Sequence, residues 1–589
     1  MSKVIVFATP VFLLLIALEL AWGLAKGRNT YRLSDAISSI GLGMMSQFTA
    51  VFTRLLRVGI YVAIYSHISL VPLGAAKAFW STWHGWVLAL VFYDLCYYWL
   101  HRISHTSAVF WAAHVVHHQS QSYNLSTALR QTSSGAFLGW IFYIPMALAG
   151  VPPEVFGIVA LVDLLYQFWV HTEHVPKLGW FDRWFCSPSN HRVHHAVNDE
   201  YVDKNYGGVF VFWDRLFGSY QVENELNPCV YGTRSALNSW DPLWANAQVY
   251  SSIFFDAWHA RSWLDKVRVF LKAPGWRPAD VAARFPRKDF NISEVQTFSP
   301  PISKAVQYFA MASFAVLSGL VSLFLWTADS ASPAQHLVGV AALLTMLWTI
   351  GALMQSRLRK GEAAMAMAAV VATASAALGL VDVHHIFKPL VLMVAIYQIV
   401  VYDFLSSTPS QFYFHSGMRT VHVTGKNMLL TALAFCLLGD ALLMFDRLFI
   451  FGLAAFLVGH LCYIALFRGD APWFASRKAL TATLACGVGM YVFLWPHLPS
   501  MLLLPVAAYV LAITLMAAQA IGRAAFLRDR ASRYVAIGAV FFMVSDTLLA
   551  INKFVMPLPA SALLVLGTYY TAQILIVLYA LRSGDTSLR

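Results

Sequence analysis

Residues 101–118 read HRISHTSAVFWAAHVVHH: five histidines in eighteen residues, in a chain of 589 that is 59% hydrophobic and only 12% charged. Imidazole is polar and titrates near neutrality, so it packs poorly against lipid, and the spacing gives it a purpose. His101 and His105 stand at i, i+4 where the apolar run 82–100 ends; His114, His117 and His118 stand at i, i+3, i+4. The second pattern recurs in NHRVHH at His191, His194 and His195. On a helix, such positions share one face within about a turn, as a set of metal ligands must. His171 and His174 lie in QFWVHTEH, where another apolar run ends. A structural zinc site uses four protein ligands and a catalytic one about three, so eight to ten imidazoles point to two metal ions. Neutral imidazole suits iron, zinc and copper.

Working outward, the composition places the chain in the membrane class. Runs long enough to cross a bilayer are expected at 3–24, 36–66, 82–100, 133–150 and 153–172. Further runs fall at 303–326, 334–354, 363–381, 385–405 and 427–445, then 447–467, 476–495, 499–521, 533–552 and 560–581. Arg54 and Arg57 interrupt the second, which reads as bent or partly interfacial. The first run lacks a small-residue cleavage site and reads as a retained helix rather than a signal peptide. Fifteen spans with the N-terminus outside put Lys26, Arg28, Arg32, Arg357, Arg359, Lys360, Arg477, Lys478, Arg523 to Arg533 and Arg582 on the inner side. This follows the positive-inside rule and puts the histidines on the cytoplasmic face. The net charge of +12 therefore belongs to loops and implies no nucleic-acid partner. The six cysteines have neither metal-site nor disulfide spacing.

The fold class that follows is an all-α polytopic membrane protein: a histidine-rich helical domain, then a C-terminal eight-helix transmembrane bundle. The one long polar stretch, 173–302, closes on APGWRPAD, FPRKDF and SPP and reads as a connector. The expected divisions are a domain at 1–300, connecting transmembrane helices at 301–362 and a second domain at 363–589. Ionisable residues inside spans are costly and functional by default. In the second domain these are Lys388, Asp440 and Asp546, all towards the outer half of their spans, where they can share a pocket with Lys553. Two carboxylates beside a lysine can bind a cation, move a proton or divide acid and base duties.

The boxes HxxxH, HxxHH and HxxHH, in that order, resemble the membrane fatty acid hydroxylase and sterol desaturase superfamily. DLCYYWLHRISH, HVVHHQSQSYNLSTALRQT, QFWVHTE and SPSNHRVHHAVNDEYVDKNYGGVFVFWDRLFGSY are similar to its alkylglycerol monooxygenase branch over about 35–280. The resemblance implies a di-iron centre ligated by His101, His105, His114, His117, His118, His171, His191, His194 and His195, with His174 as a further candidate. It implies O2, an electron donor and an ether lipid substrate whose ether-linked carbon is oxidised, releasing fatty aldehyde. Animal members take electrons from tetrahydrobiopterin. They carry a glutamate where this chain has Thr106, which speaks against the pterin here, and a histidine where it has Asn190. Asp94 and Glu173 are placed to orient imidazoles. Asn124, Arg130, Asp203, Lys204 and Asn205 are placed to shape the site or meet a headgroup.

KPL at 388–390, LLGDALLMFDRLFIFGLAAFLVGHLCYIALF, SDTLLAINKF and TYYTAQILI resemble the lysoplasmalogenase family over about 380–582. That family hydrolyses vinyl ethers without redox chemistry. The resemblance implies Asp440 and Asp546 as catalytic carboxylates: protonation of the vinyl ether carbon gives an oxocarbenium ion that water captures. His460, Tyr463, Tyr569 and Gln573 are secondary pocket candidates. The first reading is thus one chain that degrades two kinds of ether lipid. The alternative is hydroxylation or desaturation of a sterol, carotenoid or acyl chain, beside a transport-like or structural bundle.

Overall fold

The computed structural model describes residues 2–405 and 425–580. Among the described residues the secondary structure is helical, apart from two isolated β-bridges. Eleven helices among them are long and apolar enough to cross a membrane, and the chain is a multi-pass membrane protein. Arg582 lies outside the described residues, as do the side chains of Arg54 and Arg57; their helix, Leu33–Ile68, is continuous.

Four of the fifteen expected spans are not in that set, each for a local reason. The segment 82–100 lies in Trp83–Thr106, whose buried Asp94, His101 and His105 make it too polar. The segment 153–172 is the seventeen-residue helix Pro153–Trp169, too short. The segment 363–381 is the Ala-rich Lys360–Ala377, which opens on Lys and Glu. The segment 133–150 is no single helix but two short 3-10 turns and one helical turn, Ile144–Leu148. Gly135, Gly139, Pro145 and Gly150 break it. Gly150 has φ +73°, and a Cβ there would lie 2.7 Å from that of Ala76.

The chain divides into two compact units, Met1–Ser332 with Ile350–Arg357, and Pro333–Thr349 with Leu358–Arg589. In the first, aromatic stacking of Tyr61 on Phe156 and of Tyr93 on Tyr143 joins four segments. The Tyr61 hydroxyl donates to the Val151 carbonyl at 2.9 Å, tying the broken segment to the long helix. The passage read as a connector is folded onto this unit. Arg277 and Arg287 both pair with the buried Asp256, and Gln121 bonds the backbone at Gln296 and Phe298.

In the second unit, long helices pack through small residues. Gly439 faces the Phe456 ring, which a Cβ would meet at 2.5 Å, and Gly459 faces the Cys436 sulfur at 3.0 Å. Gly425–Leu442 and Phe449–Arg468 therefore approach closely, as membrane helices do where no hydrophobic gradient drives them together.

Candidate functional site

Nine histidines converge in the first unit as two groups: His101, His105, His114, His118 and His194, and His117, His171, His191 and His195. Within each group the ligand atoms lie within 4.8 Å of one another. They arrive from four places: the end of Trp83–Thr106, the turn at 114–118, the exit of Pro153–Trp169, and Pro188–His195. Pro188–His195 is held by a Ser187–Asn190 capping box. His118 stacks on His195 with ring centroids 4.3 Å apart, which joins the groups.

Backbone carbonyls fix the rings. The Nδ1 of His101 bonds Tyr206 O at 2.8 Å, that of His117 bonds Arg130 O at 2.9 Å, that of His171 bonds Gln167 O at 2.8 Å and that of His194 bonds Lys204 O at 3.0 Å. A carbonyl only accepts, so each Nδ1 carries the proton and each Nε2 is a bare lone pair. The Nε2 atoms of His117 and His171 nevertheless face each other at 3.2 Å. Two lone pairs cannot hydrogen-bond, so this contact calls for a shared cation. His171–His191 at 3.1 Å and His191–His195 at 3.2 Å continue the series. Metal–imidazole bonds of about 2.1 Å set neighbouring ligand atoms roughly 3 Å apart. The buried Nε2 atoms of His101, His105 and His194 have no hydrogen-bond partner. Burial first, and then crowding by neighbouring imidazoles, holds His114, His118, His191, His194 and His195 well below the ordinary histidine pKa. Burial pushes His117 down to about 4. Neutral imidazole is the form a metal binds, and the donor set fits two ions.

The expected outer groups act differently. Asp94 touches no imidazole; it accepts from Val209 N, Phe210 N and the Trp213 indole at 2.7, 3.1 and 3.0 Å. Asp214 accepts from Tyr206 N and Gly207 N at 2.7 and 2.9 Å; burial raises it to about 6. These two carboxylates clamp the loop that presents the Tyr206 and Lys204 carbonyls. Gly208 is required there: a Cβ would lie 2.7 Å from Asp163 Oδ1 and 2.8 Å from Asp94 Oδ1. Asp203 and Asn205 take positive φ, 59° and 56°, on either side of Lys204, a conformation Asp and Asn tolerate. Asp203 also stands 3.7 Å from His105 Nδ1. Arg130 is buried, and its guanidinium bonds Val116 O, Ser38, Ser39 and Gln119. Asn124 caps Leu125–Ala128 and bonds Thr30 O. Glu173 pairs with Arg28 rather than an imidazole. His174 belongs to neither histidine group.

In the second unit, Asp440 accepts from the Tyr569 hydroxyl at 2.7 Å and stands 3.7 Å from the Lys388 ammonium. Asp546 accepts from the Tyr509 hydroxyl at 2.5 Å, and the same hydroxyl lies 3.0 Å from His460 Nε2. Tyr463 donates to Gln573 at 2.8 Å, and Gln573 reaches Tyr569 at 3.4 Å. Phe542 lies 4.7 Å from the His460 ring and 5.5 Å from the Tyr569 ring, between the two networks. Lys553 sits over the Phe449 ring.

The fatty acid hydroxylase family matches residues 86–219. The alkylglycerol monooxygenase of Homo sapiens is 34% identical over 353 residues, 59% of this chain and 77% of that protein. That of Danio rerio is 33% identical over 365 residues, 61% and 79% of the two chains. The chain belongs to the alkylglycerol monooxygenase family. To this it adds a second match, the YhhN family at 383–580. A lysoplasmalogenase of Rattus norvegicus is 39% identical over 152 residues, 26% of this chain and 60% of that protein. No solved structure matches the chain.

As an alkylglycerol monooxygenase family member, the chain shows what its two departures do. Thr106 is exposed and turns back to the Arg102 carbonyl at 3.1 Å, away from the imidazoles. Asn190 closes the capping box that starts the last histidine helix. Sequence reading missed Asp214 and Tyr509. Tyr509 sits in an all-apolar run with no pattern to mark it; Asp214 carried the better signal, a charge inside an aromatic stretch, FVFWDRLF.

Proposed function

We propose that this chain cleaves ether lipids at two sites. In the first, His101, His105, His114, His117, His118, His171, His191, His194 and His195 hold two irons. In the second, Asp440 and Asp546 hydrolyse a vinyl ether lysolipid. The working divisions are 1–300 for the oxidative domain, 301–362 for connecting helices and 363–589 for the hydrolytic domain. The observation that carries the first reading is the facing of bare imidazole nitrogens at 3.2 Å, a geometry that a bound cation accounts for. Bound iron supplies activation of O2, with electrons from a donor, for attack on an unactivated C–H bond.

The chain's own residues do the rest. Carbonyls of Tyr206, Arg130, Gln167 and Lys204 keep four rings in one tautomer. Burial excludes water, which protects an oxidising site from side reactions. Hydroxylation of the ether-linked carbon of a glyceryl ether gives a hemiacetal, which falls apart into fatty aldehyde and the glycerol part. The site faces the cytoplasm in this reading, since the Lys and Arg of the flanking loops favour that side. The relatives named alkylglycerol monooxygenase support the substrate class.

In the second domain Asp440, 3.7 Å from the Lys388 ammonium, is the group assigned to stabilise the developing oxocarbenium ion. Asp546, paired with a tyrosine hydroxyl, is the proton donor to the vinyl ether carbon. The relatives named lysoplasmalogenase support this, over 60% of the length of the rat protein. The test is the purified full chain assayed with alkylglycerol in air and with lysoplasmenyl lipid without oxygen. Sterols, carotenoids and free fatty acids serve as competing substrates. Aldehyde from alkylglycerol alone among the aerobic substrates is expected. Oxidation of a sterol or acyl chain in preference would overturn the first reading.

A further inference from the structure

The two carboxylates leave one duty unassigned: something must hold the attacking water and take its proton. We infer that His460 is that base, held in its accepting tautomer by Tyr509 and Asp546. The inference rests on the hydrolase reading of the second unit.

His460 is fully buried in the middle of Phe449–Arg468. Its Nε2 lies 3.0 Å from the Tyr509 oxygen and 3.5 Å from Asp546 Oδ2. Tyr509 has one proton and donates it to Asp546 Oδ2 at 2.5 Å, which leaves Oδ1 to carry the proton that Asp546 delivers as an acid. His460 Nε2 must then donate to the Tyr509 oxygen, which leaves Nδ1 as the lone-pair acceptor. That Nδ1 is buried and has no hydrogen-bond partner. A buried acceptor without a partner is destabilising, so it is an opening for a donor, and water is the donor this reaction needs.

The step balances. Asp546 gives its proton to the vinyl carbon distal to oxygen, and the π pair forms that C–H bond, leaving an oxocarbenium ion. Water on Nδ1 adds to the cationic carbon: the O–C bond forms, one O–H bond breaks, and the C=O π pair returns to the ether oxygen. The released proton goes to Nδ1, while the Nε2 proton stays bonded to the Tyr509 oxygen, so the tautomer is kept. The hemiacetal hydroxyl then gives its proton to the Asp546 carboxylate as C=O forms, the bond to the lysolipid oxygen breaks, and that oxygen takes the Nδ1 proton, which releases aldehyde and alcohol and restores acid and base. Phe542, 4.7 Å from the His460 ring and buried, offers an aromatic face to the passing cation.

The test uses the full chain without oxygen, lysoplasmenylethanolamine as probe, and the variants His460→Gln and Asp546→Asn. Glutamine keeps a hydrogen bond to Tyr509 but accepts no proton. We expect kcat to fall about 100-fold with KM within twofold of the unsubstituted chain. Added methanol reports where the water comes from. The unsubstituted chain should give aldehyde almost alone, whereas His460→Gln should give a methyl acetal in rising proportion, because its water is no longer held. Aldehyde release that His460→Gln sustains within twofold, or a fall in rate with unchanged methanol partition, overturns the assignment while leaving the hydrolase reading in place. No aldehyde from the unsubstituted chain would remove both. Loss with Asp546→Asn alone keeps the acid and discards the base.

Discussion

At the scale of single residues, the first unit is governed by lone pairs with nowhere to go. His117 and His171 face each other through bare Nε2 atoms, and His194 Nε2 is buried without a partner. Replacing His117 or His194 by alanine should lower alkylglycerol oxidation by more than about 100-fold, beyond what loss of an outer hydrogen bond costs. Metal content by mass spectrometry should fall below two ions per chain. Undiminished turnover in either variant would refute the ligand assignment. Thr106 gives a second residue-scale prediction. Its hydroxyl is spent on its own helix and its side chain is exposed, so it offers a pterin no acid. Turnover should respond weakly to tetrahydrobiopterin, and saturable pterin dependence in the unsubstituted chain would defeat that inference. The histidines were legible in the sequence because i, i+3, i+4 spacing is itself a geometry. The carbonyls that orient them were not, since any residue has a carbonyl, and only the fold decides that those of Arg130 and Lys204 are the ones used.

At the scale of elements, the loop from Asp203 to Trp213 is a fixed part of the histidine site. Asp94 and Asp214 hold its amides, and its carbonyls hold His101 and His194. Gly208→Ala drives a methyl against the Asp94 and Asp163 carboxylates. Overpacking of this kind costs about 1–3 kcal/mol, and here the displacement reaches two rings. Reduced iron content together with a lower melting temperature is expected. Gly59→Ala, on the helix Leu33–Ile68 with nothing within 4 Å of the new methyl, is the control. It should be neutral or stabilising by up to about 1 kcal/mol. A Gly208→Ala protein with full iron and normal melting would show that the loop yields freely. Sequence reading placed Asp94 beside the ligands but gave it the wrong partner. Its place on the same helix face as His101, about two turns before it, fits an imidazole contact equally well until the loop's position is known. The broken 133–150 segment was hidden for a related reason: its composition is apolar enough to span, and only the placing of three glycines and a proline marks the break.

At the scale of the whole molecule, two units carry two chemistries, and each should be removable without the other. Asp440→Asn and Asp546→Asn should lose aldehyde release from lysoplasmenyl lipid without oxygen and keep alkylglycerol oxidation. His117→Ala should do the reverse. Loss of both activities in any one variant would mean a shared site or a folding defect, which a melting curve separates. The helical architecture was readable from composition, although four expected spans differ because polar ligands, short length or glycines intervene. The four imidazoles pinned to carbonyls bear on metal supply. Their orientation is set by backbone carbonyls from three separate segments, at Arg130, Gln167 and the loop of Lys204 and Tyr206, so the site is a mould cast before any ion arrives. Such a mould discriminates little among divalent ions of similar size, and at equal supply zinc outcompetes ferrous iron for nitrogen ligands. The active fraction of this protein should therefore track the ratio of iron to zinc where it is assembled, more closely than it tracks the amount of chain made.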